Sequence, residues 1–151
     1  MSAELIIREA RHKDLAAIVA MLADDELGRG RENPDDLDHY SLIFAQIEGD
    51  VRNAIMVAEQ DGKILGCFQI TYITGLSRRG ATRALIEGVR THKDARGQGI
   101  GEAMMKHAVA MAKQRSCALV QLTSDKSRTR AHHFYERLGF KMSHEGFKME
   151  L

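Results

Sequence analysis

The segment from Arg83 to Arg115 constrains this chain more than any other. Arg83–Thr91 is an apolar, strand-like run, and after five further residues come the alternating glycines Gly97, Gly99 and Gly101. Behind them Ile100, Met104, His107, Ala108 and Met111 recur at the spacing of a buried stripe, predicting an amphipathic helix to about Arg115. Glycines let the backbone approach a ligand closely, and the free N–H groups and positive dipole end of a helix favour an anion. Strand, loop and glycine-rich helix start together predict a phosphate site.

Two familiar phosphate folds fit poorly. A dinucleotide fold sets G-x-G-x-x-G directly after a strand and an acid after the next strand, and Asp125 does follow the strand-like Ala118–Thr123. Yet the sixth position counted from Gly97 is Glu102, five residues separate Thr91 from Gly97, and only 26 residues follow Asp125. A P-loop would need Gly-Lys-Ser/Thr behind the glycines, and none is there.

The rest of the chain supplies a mixed sheet and its covering helices. Leu5–Glu9 reads as a strand, and Leu15, Ile18, Val19 and Leu22 mark a helix. A charged loop at 28–38, holding the only proline, leads into a second helix along Leu37, Tyr40, Ile43, Phe44 and Ile47. Ala54–Glu59 and Ile64–Ile73 form a hairpin about Asp61-Gly62, a pair that tolerates positive φ. The polar stretch Thr74–Thr82 precedes Arg83–Thr91. Arg130–Leu138 is helical with Gly139 as its stop, and Phe140–Ser143 and Phe147–Leu151 read as short closing strands. With 151 residues and no linker, one domain over 1–151 is expected.

Composition removes several functions. Lys plus Arg (22) against Asp plus Glu (21) leaves a net charge of +1, no overall field for nucleic acid. The longest apolar runs fall short of the ~20 residues of a membrane span. The start Met1-Ser2-Ala3-Glu4 lacks a secretory pattern, so a cytoplasmic protein is expected. Cys67 and Cys117 read as buried small hydrophobes, with neither disulfide nor catalysis assigned. The adjacent His132 and His133 would face different sides of a helix, and no H-E-x-x-H occurs, so no metal is assigned.

Arg96-Gly97-Gln98-Gly99-Ile100-Gly101 resembles the coenzyme A pyrophosphate turn of the GCN5-related N-acetyltransferase (GNAT) superfamily, whose pattern is Arg or Gln, two residues, Gly, one residue, Gly or Ala. Its setting strengthens the match, with Ile86-Glu87-Gly88-Val89-Arg90-Thr91 upstream and Ala131-His132-His133-Phe134-Tyr135-Glu136-Arg137-Leu138-Gly139-Phe140 downstream. The resemblance covers essentially the whole chain. It implies an α+β, three-layer α/β/α sandwich around a mixed sheet, with central parallel strands Arg83–Thr91 and Ala118–Thr123 splayed apart for acetyl-coenzyme A. It also implies that the backbone of Val89, Arg90 and Thr91 meets the acetyl-pantetheine arm. Amides from Arg96 through Gly97, Gln98, Gly99, Ile100 and Gly101 to Glu102 would hold the pyrophosphate. Asp125 stands where relatives frequently have Asn against pantetheine; an ionised Asp accepts but does not donate. Lys126, Arg128 and Arg130 lie where the family holds the 3′-phosphoadenosine end, with a solvated charged turn as the alternative. A homodimer is common in such proteins.

Acyl transfer needs a neutral amine, a donor to the oxyanion and a proton for the leaving thiolate. At pH 7 a primary amine of pKa ~10.4 is about one part in ~2,500 neutral. Glu87 is the candidate base: period two sets it on the face of Val89, two residues on. The alternative is a surface carboxylate paired with a neighbouring Arg. Tyr135 is the candidate acid, because Phe134-Tyr135-Glu136-Arg137-Leu138-Gly139-Phe140 resembles the family segment whose tyrosine protonates the thiolate. The alternative is a packed aromatic. The Val89 N–H would be the oxyanion donor. Arg78 and Arg79, with Arg83, suit a carboxylate or phosphate on the acceptor. The expectation is acetyl transfer to a small-molecule amine bearing an anionic group. Protein lysine or N-terminal acetylation and a non-catalytic acyl-coenzyme A-binding regulatory module are the alternatives.

Overall fold

A computed structural model describes residues 3–151. The chain forms two compact units, the first running through Gln121 and the second covering Leu122–Leu151. Its five strands are β1 (Ile6–Glu9), β2 (Asn53–Gln60), β3 (Lys63–Thr74), β4 (Thr82–Thr91) and β5 (Leu119–Leu122), and they lie in that order in one sheet. β1 to β4 are antiparallel neighbours. β5 runs alongside β4 in the parallel sense: Ala118 N donates to Thr82 O at 2.8 Å, and one step along β4 Arg83 Nη1 donates to Gln121 Oε1 at 3.0 Å. The sheet is therefore mixed, as expected.

Helices cover both faces. α1 (Leu15–Ala23) and α2 (Leu37–Glu48) lie on one, where Leu15, Ile18, Val19, Met21 and Phe44 join Val57 and Cys67 in a buried cluster. α3 (Ile100–Gln114) packs on β3 and β4 from the other side. Its buried residues are Ile100, Met104, Met105, Ala108 and Ala112, so the stripe is rotated from the expected one and leaves His107 and Met111 half-buried. One glycine sets the approach of α3: a Cβ on Gly66 would stand 2.8 Å from Met104 Cε and 3.1 Å from Arg90 O. The β2–β3 turn is the expected one, with Asp61 (φ 53) and Gly62 (φ 74) both left-handed.

A polar clamp ties β1 to its neighbours. Arg8 donates through Nη1 to Asp14 Oδ2 and through Nε to Glu59 Oε2, each at 2.8 Å, while Arg11 N also donates to Asp14 Oδ2. Asp14 is 4% exposed, so its carboxylate is held by hydrogen bonds in place of water.

The second unit differs from the expectation. It contains α4 (Thr129–Arg137), but among the described residues no strand follows Leu122. Phe140–Ser143 and Phe147–Leu151, expected as closing strands, carry the side-chain alternation of strands without a ladder partner. Alternation gives a propensity, and only pairing makes a strand.

Candidate active site

The site is organised by a break in β4. β3 and β4 pair Gln69 with Glu87 and Cys67 with Arg90, so two steps on β3 match three on β4. Gly88 and Val89 together oppose Phe68, which is a β-bulge, and Gly88 supplies the left-handed φ of 61° there. The bulge corrects one expectation: period two does not carry from Glu87 to Val89, because the inserted residue shifts the parity. Glu87 instead shares a face with Arg90, whose pairing partner Cys67 lies on the face of Gln69.

Around Glu87 that face is polar. Its carboxylate is exposed, and Gln69 stands opposite. Thr71 Oγ1 donates to Asn53 Oδ1 at 2.6 Å, Asn53 Nδ2 donates to Asp50 Oδ2 at 2.9 Å, and Gln69 Nε2 reaches Asn53 Oδ1 at 3.5 Å. Arg83, four residues before Glu87, is held by Gln121. Arg90 pairs through Nε with Asp25 Oδ2 at 3.3 Å and donates from Nη1 to Val89 O at 2.9 Å. Asn53, Gln69 and Asp25 escaped the sequence reading because strand register and loop return decide them. The one available signal was Gly88, since a lone glycine inside a strand pattern marks a bulge.

The loop beyond β4 carries the glycines expected to hold a phosphate. His92 N donates to Leu65 O at 2.8 Å, extending the ladder past Thr91, and a single 3₁₀ turn at Lys93–Ala95 follows with His92 Nδ1 accepting from Asp94 N. Arg96, Gly97, Gln98 and Gly99 are exposed, whereas Ile100 is buried beneath them. Gly97 (φ 79) and Gly99 (φ 81) are left-handed, and a Cβ built on either meets nothing within 4 Å. That open space beside the first turn of α3 fits a pyrophosphate held by main-chain N–H groups. Glu102 in the same turn is exposed and pairs with Lys106 Nζ at 3.1 Å.

Arg78 and Arg79 lie in the turn between β3 and β4, both exposed and both left-handed (φ 56 and 62). In the second unit, Asp125 Oδ1 accepts from Ser127 N at 2.9 Å and Ser127 Oγ at 2.6 Å, and Asp125 O accepts from Arg128 N and His132 Nε2. Arg128 is the residue before α4 and is half-buried. Tyr135 is half-buried on α4, its ring edge-on to Phe134 at 5.1 Å and to Phe140 at 5.8 Å. No described helix is long and apolar enough to cross a membrane.

Residues 15–140 match the acetyltransferase (GNAT) family. In structure the chain is similar to a transcriptional regulator from Bacillus halodurans C-125, with 48% identity, TM-score 0.95, and 98% of this chain and 100% of the other covered. It is similar also to a putative acetyltransferase from Agrobacterium tumefaciens str. C58 (24% identity, TM-score 0.80, 97% and 99% covered). A third neighbour is the glucosamine-6-phosphate N-acetyltransferase from Arabidopsis thaliana (20% identity, TM-score 0.73, 98% and 97% covered), a likeness of fold. No curated protein matches the chain in sequence.

Proposed function

The chain belongs to the acetyltransferase (GNAT) family, and from that premise we propose that it transfers acetyl from acetyl-coenzyme A to a primary amine of a small molecule bearing an anionic group. The observation that carries the reading is the open, left-handed Gly97 and Gly99 turn at the start of α3, five residues beyond the bulged strand. Amides from Arg96 to Glu102 hold the pyrophosphate, and the β4 backbone at Val89, Arg90 and Thr91 meets the pantetheine arm. Asp125 and Arg128 add contacts from the turn before α4.

The amine attacks directly in a ternary complex. Glu87 takes its proton, either at once or through a water, and the nitrogen forms a bond to the acetyl carbon. The Val89 N–H donates to the developing oxyanion. As the carbon–sulfur bond breaks, Tyr135 gives its phenolic proton to the thiolate. The exposed carboxylate of Glu87 and its polar surroundings support the base role. Two exposed guanidinium groups, Arg78 and Arg79, support an anionic acceptor. The reading extends to one domain over 1–151, acting in the cytoplasm.

A second reading, an acyl-coenzyme A-binding regulatory module without turnover, is favoured by the name of the 48% identical relative, a transcriptional regulator. Both readings face one experiment. Acetyl-coenzyme A is titrated by calorimetry into the protein and into a Gly99→Glu, Gly101→Glu variant, and amines are then screened for thiol release. Binding by the native protein alone with amine-dependent release establishes the enzyme. Binding without release across the screen favours the module, and no binding overturns both.

A further inference from the structure

The polar face around Glu87 has a direction built into it. At its far end stands Asp50, whose Oδ1 accepts from Arg52 N and whose Oδ2 accepts from Asn53 Nδ2, each at 2.9 Å. These bonds hold the Asp50 carboxyl below the usual carboxylate range, so at neutral pH it accepts and does not donate. The Asn53 amide therefore turns its nitrogen toward Asp50 and its oxygen toward β3. There Asn53 Oδ1 accepts from Thr71 Oγ1 at 2.6 Å and from Gln69 Nε2 at 3.5 Å.

The last amide inherits that direction. With Nε2 committed to Asn53, Gln69 presents Oε1 on its other side. Gln69 and Glu87 are direct partners across β3 and β4, which sets their Cβ atoms about 5 Å apart on one face. Among the described residues, neither Gln69 Oε1 nor the Glu87 carboxylate receives a hydrogen bond. Two bare acceptors side by side suit one group that carries two or more N–H donors.

We propose that Gln69 Oε1 and the Glu87 carboxylate together hold the nitrogen of the acceptor amine, and that Asp50 and Asn53 are positioning residues that keep the Gln69 oxygen turned to it. The inference rests on the reading of Glu87 as the base. Glu87 takes one proton of the ammonium and Gln69 Oε1 accepts from a second N–H, so the freed lone pair is fixed in direction before it bonds to the acetyl carbon. An alcohol, with a single donor, satisfies only one of the two oxygens, and the pair thereby selects amines.

Reversing the relay tests it. In Asp50→Asn the side-chain oxygen stays with Arg52 N, an NH2 group faces Asn53, the Asn53 amide turns over, and Gln69 presents Nε2 to Glu87. The double variant Asp50→Asn, Asn53→Asp moves the carboxylate one link along and restores the original direction at the same net charge. Thiol release from acetyl-coenzyme A is followed with O-phosphoethanolamine as the amine, for these variants, Gln69→Leu and Glu87→Gln. In Gln69→Leu and Asp50→Asn kcat should fall about 10–100-fold, the usual worth of a hydrogen bond to a charged group. The double variant should regain most of it, with KM for acetyl-coenzyme A constant throughout. Full kcat in Gln69→Leu, or no recovery in a double variant of native circular dichroism, overturns the inference. Loss in Glu87→Gln alone keeps the base and removes the relay, whereas full kcat in Glu87→Gln removes the base as well. If O-phosphoethanolamine is not acetylated, methylammonium chloride titrated into the native protein decides by NMR. The side-chain carbonyl carbons of Gln69 and Glu87 should shift with one Kd, and Gln69 should lose its response in Asp50→Asn. A Gln69 signal that stays still in the native protein overturns the proposal.

Discussion

Glu87 and Arg90 stand on one face of β4 although they are three steps apart along the chain, because the bulge at Gly88 and Val89 inserts one residue against Phe68. Arg90 is held there by Asp25 at 3.3 Å and donates to the carbonyl of Val89 at 2.9 Å. The side chain thus fixes the strand at the point where the ladder is broken, and Glu87 is carried on the opposite shoulder of the same bulge. A bulge re-aims backbone groups that a regular strand would spend on its neighbour.

Replacing Glu87 by Gln removes the proposed base while keeping shape and hydrogen-bonding capacity. kcat/KM should fall by about 10²–10⁴-fold, the usual contribution of a positioned base. Acetyl-coenzyme A affinity, measured by calorimetry, should stay unchanged. Unaltered turnover would leave Glu87 as a surface carboxylate.

Gly88→Ala tests the bulge itself. A Cβ there meets only Leu22 Cδ2, at an ordinary 3.7 Å, so the penalty arises from the left-handed φ of 61°. That conformation costs a non-glycine residue about 1–2 kcal/mol. For a chain of this size the melting temperature should drop by about 2–8 °C. If the backbone relaxes to a regular strand instead, Glu87 and Arg90 part to opposite faces, and activity falls further than stability does.

Much of this architecture was legible from residues alone. The Asp61-Gly62 turn, the glycines ahead of α3 and the helical spacing of α1 and α2 each encode local geometry, and local geometry is what sequence patterns carry. Register was not legible: the pairing of Gln69 with Glu87 depends on how two strands slide past one another, and one inserted residue reversed the expected face of Val89. The closing strands failed for a related reason, since Phe147–Leu151 has a strand's pattern without a strand's neighbour. Among site residues, the open, left-handed turn at Gly97 and Gly99 followed from glycine spacing. Asn53 and Asp25 come from distant segments that only the fold brings near.

Asp14 offers a pH signature of the β1 clamp. The Arg8 guanidinium holds its carboxyl below the usual carboxylate range, against the opposing effect of burial. Such a group binds its proton more weakly when folded, so its stabilisation is present above about pH 4 and is lost as pH falls through the lowered native value. Asp14→Asn should cost about 1.5–3 kcal/mol at pH 7, the range for hydrogen bonds to charged groups. Urea midpoints of the two proteins should converge below about pH 4. A constant gap across that window would mean that the hydrogen bonds matter and the charge does not.

Cys67 gives the opposite sign at high pH. Its thiol is 2% exposed, lies 3.7 Å from Gly88 O beneath the bulge, and is pushed up by burial to about 12. The folded protein therefore keeps a proton that the unfolded chain releases near pH 8.5, and stability falls as pH rises above that value. Thiol reagents should label Cys67 only through opening of the sheet, and so far more slowly than a free thiol at the same pH. Cys67→Ala should flatten the alkaline loss of stability, at the cost of a small cavity between α1 and the sheet. Rapid labelling of the native protein at pH 8, with the modified residue identified by mass spectrometry as Cys67, would instead mean that the bulge opens readily. Gly88 and Val89 would then belong to a mobile strand rather than to a fixed cradle.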